Sequence, residues 1–269
     1  MISAFILTYN EEKILPECLK ALDFVSEILV FDSFSTDGTL EIARETGAKI
    51  VQRKFDNYAN QRNEALKNIS ANADWVLMVD ADEIITPELK NEILEVTSDE
   101  TNPISLYTVR RKDMFQGKWI KYSSGYPTWF GRLFKNGKVW VEREINEEYH
   151  TSGQVGYLQN HLIHYPFNKG LEYWFEKHNR YSSMEAINAN MKLADKPKMI
   201  NLISGDPIKR RKIQKYLIMQ LPFRPQIVFF LFFILRGGFL DGKTGYIFCK
   251  LRKTYEWMIE LKIKELQSH

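Results

Sequence analysis

The chain has 269 residues, 44% of them apolar, and a formal net charge of +3. That excludes a disordered or fibrous chain and leaves room for one large domain, or one domain with an appendage. Its two cysteines, Cys18 and Cys249, exclude a disulfide framework and a cysteine-built zinc site, so a reducing compartment is expected.

The opening MISAFILTYNEE has no basic stretch and no small-residue cleavage site, and reads as a strand rather than a signal peptide. Residues 2–8, ISAFILT, form a short apolar run suited to a buried strand. Asn10 is expected to cap a helix over EEKILPECLKAL. EILVFD is a second strand, ending at Asp32, and SFSTDG is a polar turn. Asp37 can cap TLEIARETG, with Gly47 as the stop. AKIVQRKF is a third strand. NYANQRNEALKNIS reads as a helix with Ala59, Ala65, Leu66 and Ile69 toward the core. DWVLMVD is a fourth strand, and Thr86 followed by Pro87 is a cap with proline in the first helical turn.

Strands alternating with helices of this length predict a doubly wound, mainly parallel sheet. Ligands bind such sheets beyond the carboxyl ends of the strands. Three of these ends are polar: Thr8-Tyr9-Asn10, Asp32-Ser33 and Asp80-Ala81-Asp82.

After about residue 103 the pattern turns to β segments: ISLYTVRRKDMF, RLFKNGKVWVE and QVGYLQNHLIHY, with Asn136-Gly137 suited to a hairpin. A long helix follows over FNKGLEYWFEKHNRYSSMEAINANMKLA. The tail differs in charge. Residues 1–195 carry 22 Lys and Arg against 29 Asp and Glu, whereas residues 196–269 carry 15 against 5. The cluster Lys209, Arg210, Arg211, Lys212 and Lys215 precedes the apolar run Ile227 to Leu235, far shorter than the ~20 residues of a membrane span. The expected division is therefore 1–195 (halves of about 1–102 and 103–195) and a helical extension over 196–269. That extension either lies in a membrane interface or is buried in the core. Nucleic acid is not expected, because the tail's aromatics lie within an apolar run instead of alternating with arginines.

Asp80-Ala81-Asp82 leaves a strand end, so both carboxylates can reach one point, as Mg²⁺ or Mn²⁺ requires. Asp82 and Glu83 can also simply favour the following helix through its dipole, which is the role expected of Glu83. The ordered blocks narrow the choice. TYNEE, DSFSTDGT, the Q-x-N-x-AL of residues 61–66 and VDADE resemble those of the inverting GT-A glycosyltransferases of family 2. The likeness is strongest to the branch that glucosylates lipopolysaccharide core. It continues through Gln116–Ile120, Tyr126-Pro127, Arg132–Phe134, His164-Tyr165 and Gly238–Gly242.

The resemblance implies an α/β GT-A fold, a Rossmann-like mixed sheet with helices on both faces, followed by a C-terminal helical extension that associates with the membrane. It implies hexose transfer, glucose being expected, from a UDP-sugar to a lipid-linked saccharide at the cytoplasmic face of the bacterial inner membrane. Polyprenyl phosphate or a capsular polysaccharide is the alternative acceptor, and a non-catalytic sugar-nucleotide binder is the reading from another class. Thr8, Tyr9 and Glu11 would border the base and ribose, Asp32 would pair with the base, and Arg62 would approach the diphosphate or ribose. Asp80 would face the ribose and sugar, and Asp82 would hold the divalent metal, with His164 as a second candidate on that side. Glu147 matches the family's base carboxylate, although Asn146 replaces the usual His. Glu144 is the alternative, with Glu148 behind it. Tyr126, Trp129 and Arg132 are candidates for phosphate or sugar contact.

Overall fold

A computed structural model describes residues 1–142, 148–191, 210, 213–214, 217–218 and 221–268. The chain divides into two compact units. Unit 1 is Met1–Lys112 with Phe130–Asn168, and unit 2 is Asp113–Trp129 with Lys169–His269. The boundary placed near residue 195 falls outside the described residues, as does most of the 209–215 basic cluster.

Unit 1 begins with alternating elements: β1 (Ile2–Thr8), α1 (Leu15–Lys20), β2 (Glu27–Asp32), α2 (Thr39–Glu45), β3 (Lys49–Gln52), α3 (Tyr58–Lys67) and β4 (Trp75–Asp80). Next in the chain come β5 (Glu83–Ile85), α4 (Pro87–Ser98), β6 (Ile104–Phe115, whose end from Asp113 falls in unit 2), β7 (Lys118–Trp119, in unit 2), and then β8 (Trp129–Lys135), β9 (Val139–Glu142), β10 (Glu148–Thr151) and β11 (Gln154–His164). The main sheet runs β3-β2-β1-β4-β8-β6-β11-β5, with β7 paired to the end of β6 and β9–β10 forming a separate ribbon. β1 pairs in parallel with β2 and β4, whereas β8 joins β4 antiparallel. The sheet is therefore mixed, as the resemblance implied.

Both faces of the sheet are buried because alternate side chains of one strand point opposite ways. Ala4 and Ile6 pack with Leu15, Cys18 and Leu19 of α1, Ala43 of α2, and Leu89 and Ile93 of α4. Phe5 points the other way, to a cluster with Leu29, Phe31, Met78 and Ala65, against which Leu66 and Ile69 lie. Each such fully buried side chain contributes roughly 2 kcal/mol over exposure.

Local signals held unevenly. Thr86 caps α4, accepting from the Leu89 amide at 3.3 Å, with Pro87 in the first turn. Gly47 closes α2 in the left-handed region, φ +74°. Asn10 does not cap α1. That helix starts four residues later, where Pro16 needs no amide partner, and Asn10 instead accepts from the Thr36 amide at 2.8 Å. Asp37 sits just ahead of α2 and accepts from the Thr39 and Glu12 amides. Asn136-Gly137 does make a turn, closed by Lys138 N–H to Lys135 O at 3.1 Å, but β9 pairs with β10 and not with β8.

Unit 2 contains α5 (Gly170–Met191), α6 (Arg224–Phe230), a π-helical turn at Leu231–Leu235, a 3-10 turn at Gly238–Asp241, and α7 (Gly242–Ser268). From Arg224 to Ser268 the extension is largely helical, as expected. Among the described residues no helix is long and apolar enough to cross a membrane.

Candidate active site

The parallel registers align the predicted strand ends. Thr8 lies beside Asp32, and Leu7 beside Asp80. The loops that follow β1 and β2 are laced together: the Asn10 amide donates to Ser35 Oγ and the Glu11 amide to Thr39 Oγ1, both at 2.8 Å. Asn168, after β11, donates to Glu11 Oε2 at 2.9 Å. Tyr9 is 49% exposed at the rim of these loops.

Asp32 is fully buried and held by neutral donors. Thr8 Oγ1 (2.9 Å) and Ser35 Oγ donate to Oδ1. The Ser35 amide (2.9 Å) and Gln52 Nε2 (3.0 Å) donate to Oδ2. The carboxylate plane is thereby fixed. Gln52 was not among the expected residues. Its signal was register alone, because it ends β3 directly beside Asp32.

The end of β4 is built from full charges. Arg62 Nη2 donates to Asp80 Oδ1 and Arg132 Nη2 to Asp80 Oδ2, each at 2.9 Å. Arg132 also grips Glu83 through two bonds, Nε to Oε2 at 2.8 Å and Nη2 to Oε1 at 2.7 Å. Glu83 Oε2 in turn accepts from the Asp80 amide at 3.2 Å. Tyr149 Oη accepts from Arg62 Nε at 2.9 Å, so the β9–β10 ribbon reaches the same cluster. Burial pushes the Asp80 carboxyl upward in pKa, but Arg62 and Arg132 outweigh it and hold it below its ordinary value. Cys18, whose thiol lies 3.9 Å from the Asp80 carbonyl, is pushed well upward by burial and by the surrounding carboxylates, so it is no nucleophile.

Glu83 therefore does something other than favour a helix dipole. It lies on β5, which pairs antiparallel with β11, and is fully buried against Arg132. The short strand E-I-I carried a signal, its two β-branched residues, that the nearby helix cap masked. Tyr149 and Glu83 are the residues of this cluster that the sequence reading missed.

Asp82 leaves the strand on the other side of Ala81. His164 Nε2 lies 3.4 Å from Asp82 Oδ2, and the Tyr165 amide donates to the Asp82 carbonyl at 2.9 Å. The two-residue link between β4 and β5 thus separates a carboxylate committed to arginines from one beside an imidazole. Among the described residues no third His, Cys, Asp or Glu completes a three-ligand metal set. An oxygen and a nitrogen donor, with further positions left to phosphate and water, suit a divalent ion of the Mg²⁺ or Mn²⁺ kind.

Arg132 and Arg62 join Asp80 in unit 1, while Tyr126 and Trp129 belong to unit 2. The Tyr126 ring stands edge-on to Trp119, with centroids 5.1 Å apart. Glu144 and Glu147 lie outside the described residues, as does the side chain of Glu148.

A family model described as Glycosyl transferase family 2 matches residues 3–153. An uncharacterized glycosyltransferase of Rickettsia felis is 28% identical over 202 residues, 69% of each chain. The lipopolysaccharide core biosynthesis glycosyltransferase LpsC of Rhizobium meliloti is 27% identical over 266 residues, 95% of this chain and 92% of that one. Glucosyl-3-phosphoglycerate synthase from Mycobacterium tuberculosis, solved with Mn²⁺, UDP-glucose and phosphoglyceric acid, is 22% identical over 42% of this chain and 44% of that one, with a TM-score of 0.37, a likeness too partial to bear on the site. The family match covers the strand ends, the Asp80–Arg132 network and the β9–β10 ribbon, and on it the chain belongs to glycosyl transferase family 2.

Proposed function

We propose that this glycosyltransferase moves a hexose, glucose in the first instance, from a UDP-sugar to a lipid-linked saccharide of the lipopolysaccharide-core kind, with inversion. The observation that carries the reading is the split at the end of β4. Asp80 is held by Arg62 and Arg132, and two residues later Asp82 faces His164. The likeness to LpsC, which spans both the sheet and the helical extension, supports the choice of acceptor class.

The reaction is a single displacement. An acceptor hydroxyl oxygen bonds to the anomeric carbon as the bond from that carbon to the diphosphate breaks. The hydroxyl proton passes to a carboxylate, for which Glu147 is the first candidate and Glu144 the second. Asp32 would pair with the base by exchanging one of its four internal donors for it, with Thr8 and Glu11 beside the ribose and Tyr9 at the rim. Asp80, immobilised by two guanidiniums, orients the ribose and sugar without rotamer search. Asp82 and His164 would hold a divalent ion, which supplies positive charge to offset that of the departing UDP.

The test is UDP release by the purified full chain, with Mn²⁺ or Mg²⁺, across UDP- and GDP-sugars and with defined acceptors. Asp82→Ala should cost roughly a hundredfold or more in metal-dependent turnover, and undiminished turnover would remove the metal assignment. Glu147→Gln should keep UDP-sugar binding and lose transfer. Full transfer by that variant would move the base to Glu144 or elsewhere. Transfer to polyprenyl phosphate or to capsular saccharide, with none to core saccharide, would replace the acceptor.

A further inference from the structure

The apolar run Ile227 to Leu235 is divided between two faces. Arg224, Pro225, Val228 and Phe232, at helical spacing, are buried, and Val228 and Phe232 pack against Cys249. Phe230, Ile234 and Leu235 point the other way and are 52%, 43% and 67% exposed. The next turn adds Phe239 at 51% and Leu240 at 60%.

These side chains are held outward by a rigid base. Asp241 Oδ2 accepts three hydrogen bonds, from the Tyr122 amide (3.0 Å), the Ser123 amide (2.7 Å) and Ser123 Oγ (2.7 Å). The Leu240 amide donates to Gly237 O at 2.8 Å. Gly238 and Gly245 approach so closely that a Cβ on Gly245 would lie 2.3 Å from Gly238 O. The Gly238–Gly242 block is thus a clasp. It prevents Phe239 and Leu240 from folding inward, although burial would stabilise both. Five large apolar residues exposed within the single stretch Phe230 to Leu240 mark an interaction surface.

Charge identifies the occupant. Between residues 230 and 250 the cations are Arg236, Lys243 and Lys250, all exposed, and the one acid is Asp241, whose Oδ2 is engaged by the clasp. The Arg236 guanidinium lies 4.8 Å from the centre of the buried Phe232 ring, so it belongs to the inner side, and the cations left for the rim are Lys243 and Lys250. Apolar side chains rimmed by cations, on helices too short and interrupted to span, fit the headgroup layer of an anionic bilayer. We propose that Phe230, Ile234, Leu235, Phe239 and Leu240 insert into an anionic lipid surface, the cytoplasmic leaflet of the inner membrane, with Lys243 and Lys250 on its phosphates. The face is argued from unit 2 alone. It deepens the acceptor reading by putting the enzyme where a lipid-linked acceptor lies.

The test is co-sedimentation of the full chain with phosphatidylcholine vesicles and with mixed phosphatidylcholine–phosphatidylglycerol vesicles, at low and high salt. The wild type should bind the mixed vesicles and be released by salt. The triple variant Phe230→Ser, Leu235→Ser, Leu240→Ser should bind roughly a hundredfold more weakly. Should that variant misfold by circular dichroism, Lys243→Glu with Lys250→Glu must lose the preference for the mixed vesicles. Equal binding by wild type and folded variants, or no binding by the wild type, overturns the proposal. So does a lipid-free dimer that the triple variant dissociates, since the occupant is then a second copy. UDP-sugar hydrolysis is read in parallel. Patch-dependent vesicle binding without any hydrolysis would sink the transfer reading and leave this face standing.

Discussion

Both units bury ionisable groups, but by opposite means. In unit 1 the charges are paired. Burial alone would lower the pKa of Arg132, yet Glu83 and Asp80 raise it well past its ordinary value, and Asp80 moves down to match. Unit 2 has a paired buried arginine too, Arg224 with Glu256 at 2.9 Å, but at its shifted groups burial comes first. It pulls His178 down to about 4, lowers Arg236 and Arg252, and pushes Cys249 up to about 11. The groups there lie against rings: His178 stacks on Trp174 at 3.8 Å and meets Tyr255 edge-on at 4.9 Å, and Arg252 sits 3.7 Å over Phe232. Paired charges prepare a site for a charged ligand. Groups shifted by burial and laid against rings serve as packing.

The sharpest way to break this contrast is Arg132→Ala. Glu83 would stay fully buried with only the longer 3.8 Å pair to Arg111, and unfolding in urea should show a loss of about 3 kcal/mol. Arg132→Met combined with Glu83→Leu should recover part of that, because Arg62 still holds Asp80 and the one cation that loses a partner, Arg111, is only part-buried and paired at 3.8 Å. A single-variant loss below about 1 kcal/mol would mean that the pairing is incidental.

In unit 2 the expected effect is smaller and depends on pH. His178 has a folded pKa of about 4, below the ~6.5 of an unfolded histidine. Its contribution is thus complete above about pH 6.5 and is lost as pH falls toward 4, where the unfolded chain binds the proton first. Wild type should lose roughly 2 kcal/mol more than His178→Phe between about pH 7 and about pH 4.5. Parallel stability curves for the two proteins would remove the neutral-packing account.

The smallest effect belongs to the neutral-donor cluster. Gln52→Ala removes one of four donors to Asp32 and should cost about 1 kcal/mol by calorimetry. A loss as large as that of Arg132→Ala would erase the distinction between neutral and charged support within unit 1.

The strand ends were legible in the sequence because apolar runs stop abruptly at Thr8, Asp32 and Asp80. Parallel pairing then brings together residues from distant blocks. Arg62 was legible through its block, and the structure adds its partners. Glu83 was misjudged because a cap-and-proline signal at Thr86-Pro87 drew the preceding carboxylates toward the helix, while a three-residue strand gives too few positions for alternation to register. Asn10 was misjudged because a cap residue and a left-handed turn residue look alike in sequence, and only Pro16 hinted at the later start. The tail's two-faced run was ambiguous because a continuous apolar stretch hides which residues the fold turns inward.

The two-residue link at Ala81-Asp82 sets a mechanical limit. It is pinned upstream by β4 in the middle of the sheet, downstream by β5 against β11, and at its own carbonyl by Tyr165, while Ala81 is 2% exposed. The backbone there has no slack. A larger side chain at 81, or an inserted residue, cannot be taken up locally and would shift the spacing between the arginine-held carboxylate and its neighbour. On the proposed reading of Asp82 as a metal ligand, the ion must conform to the protein, and adjustment to ions of different radius would fall to the water and phosphate side of the coordination shell.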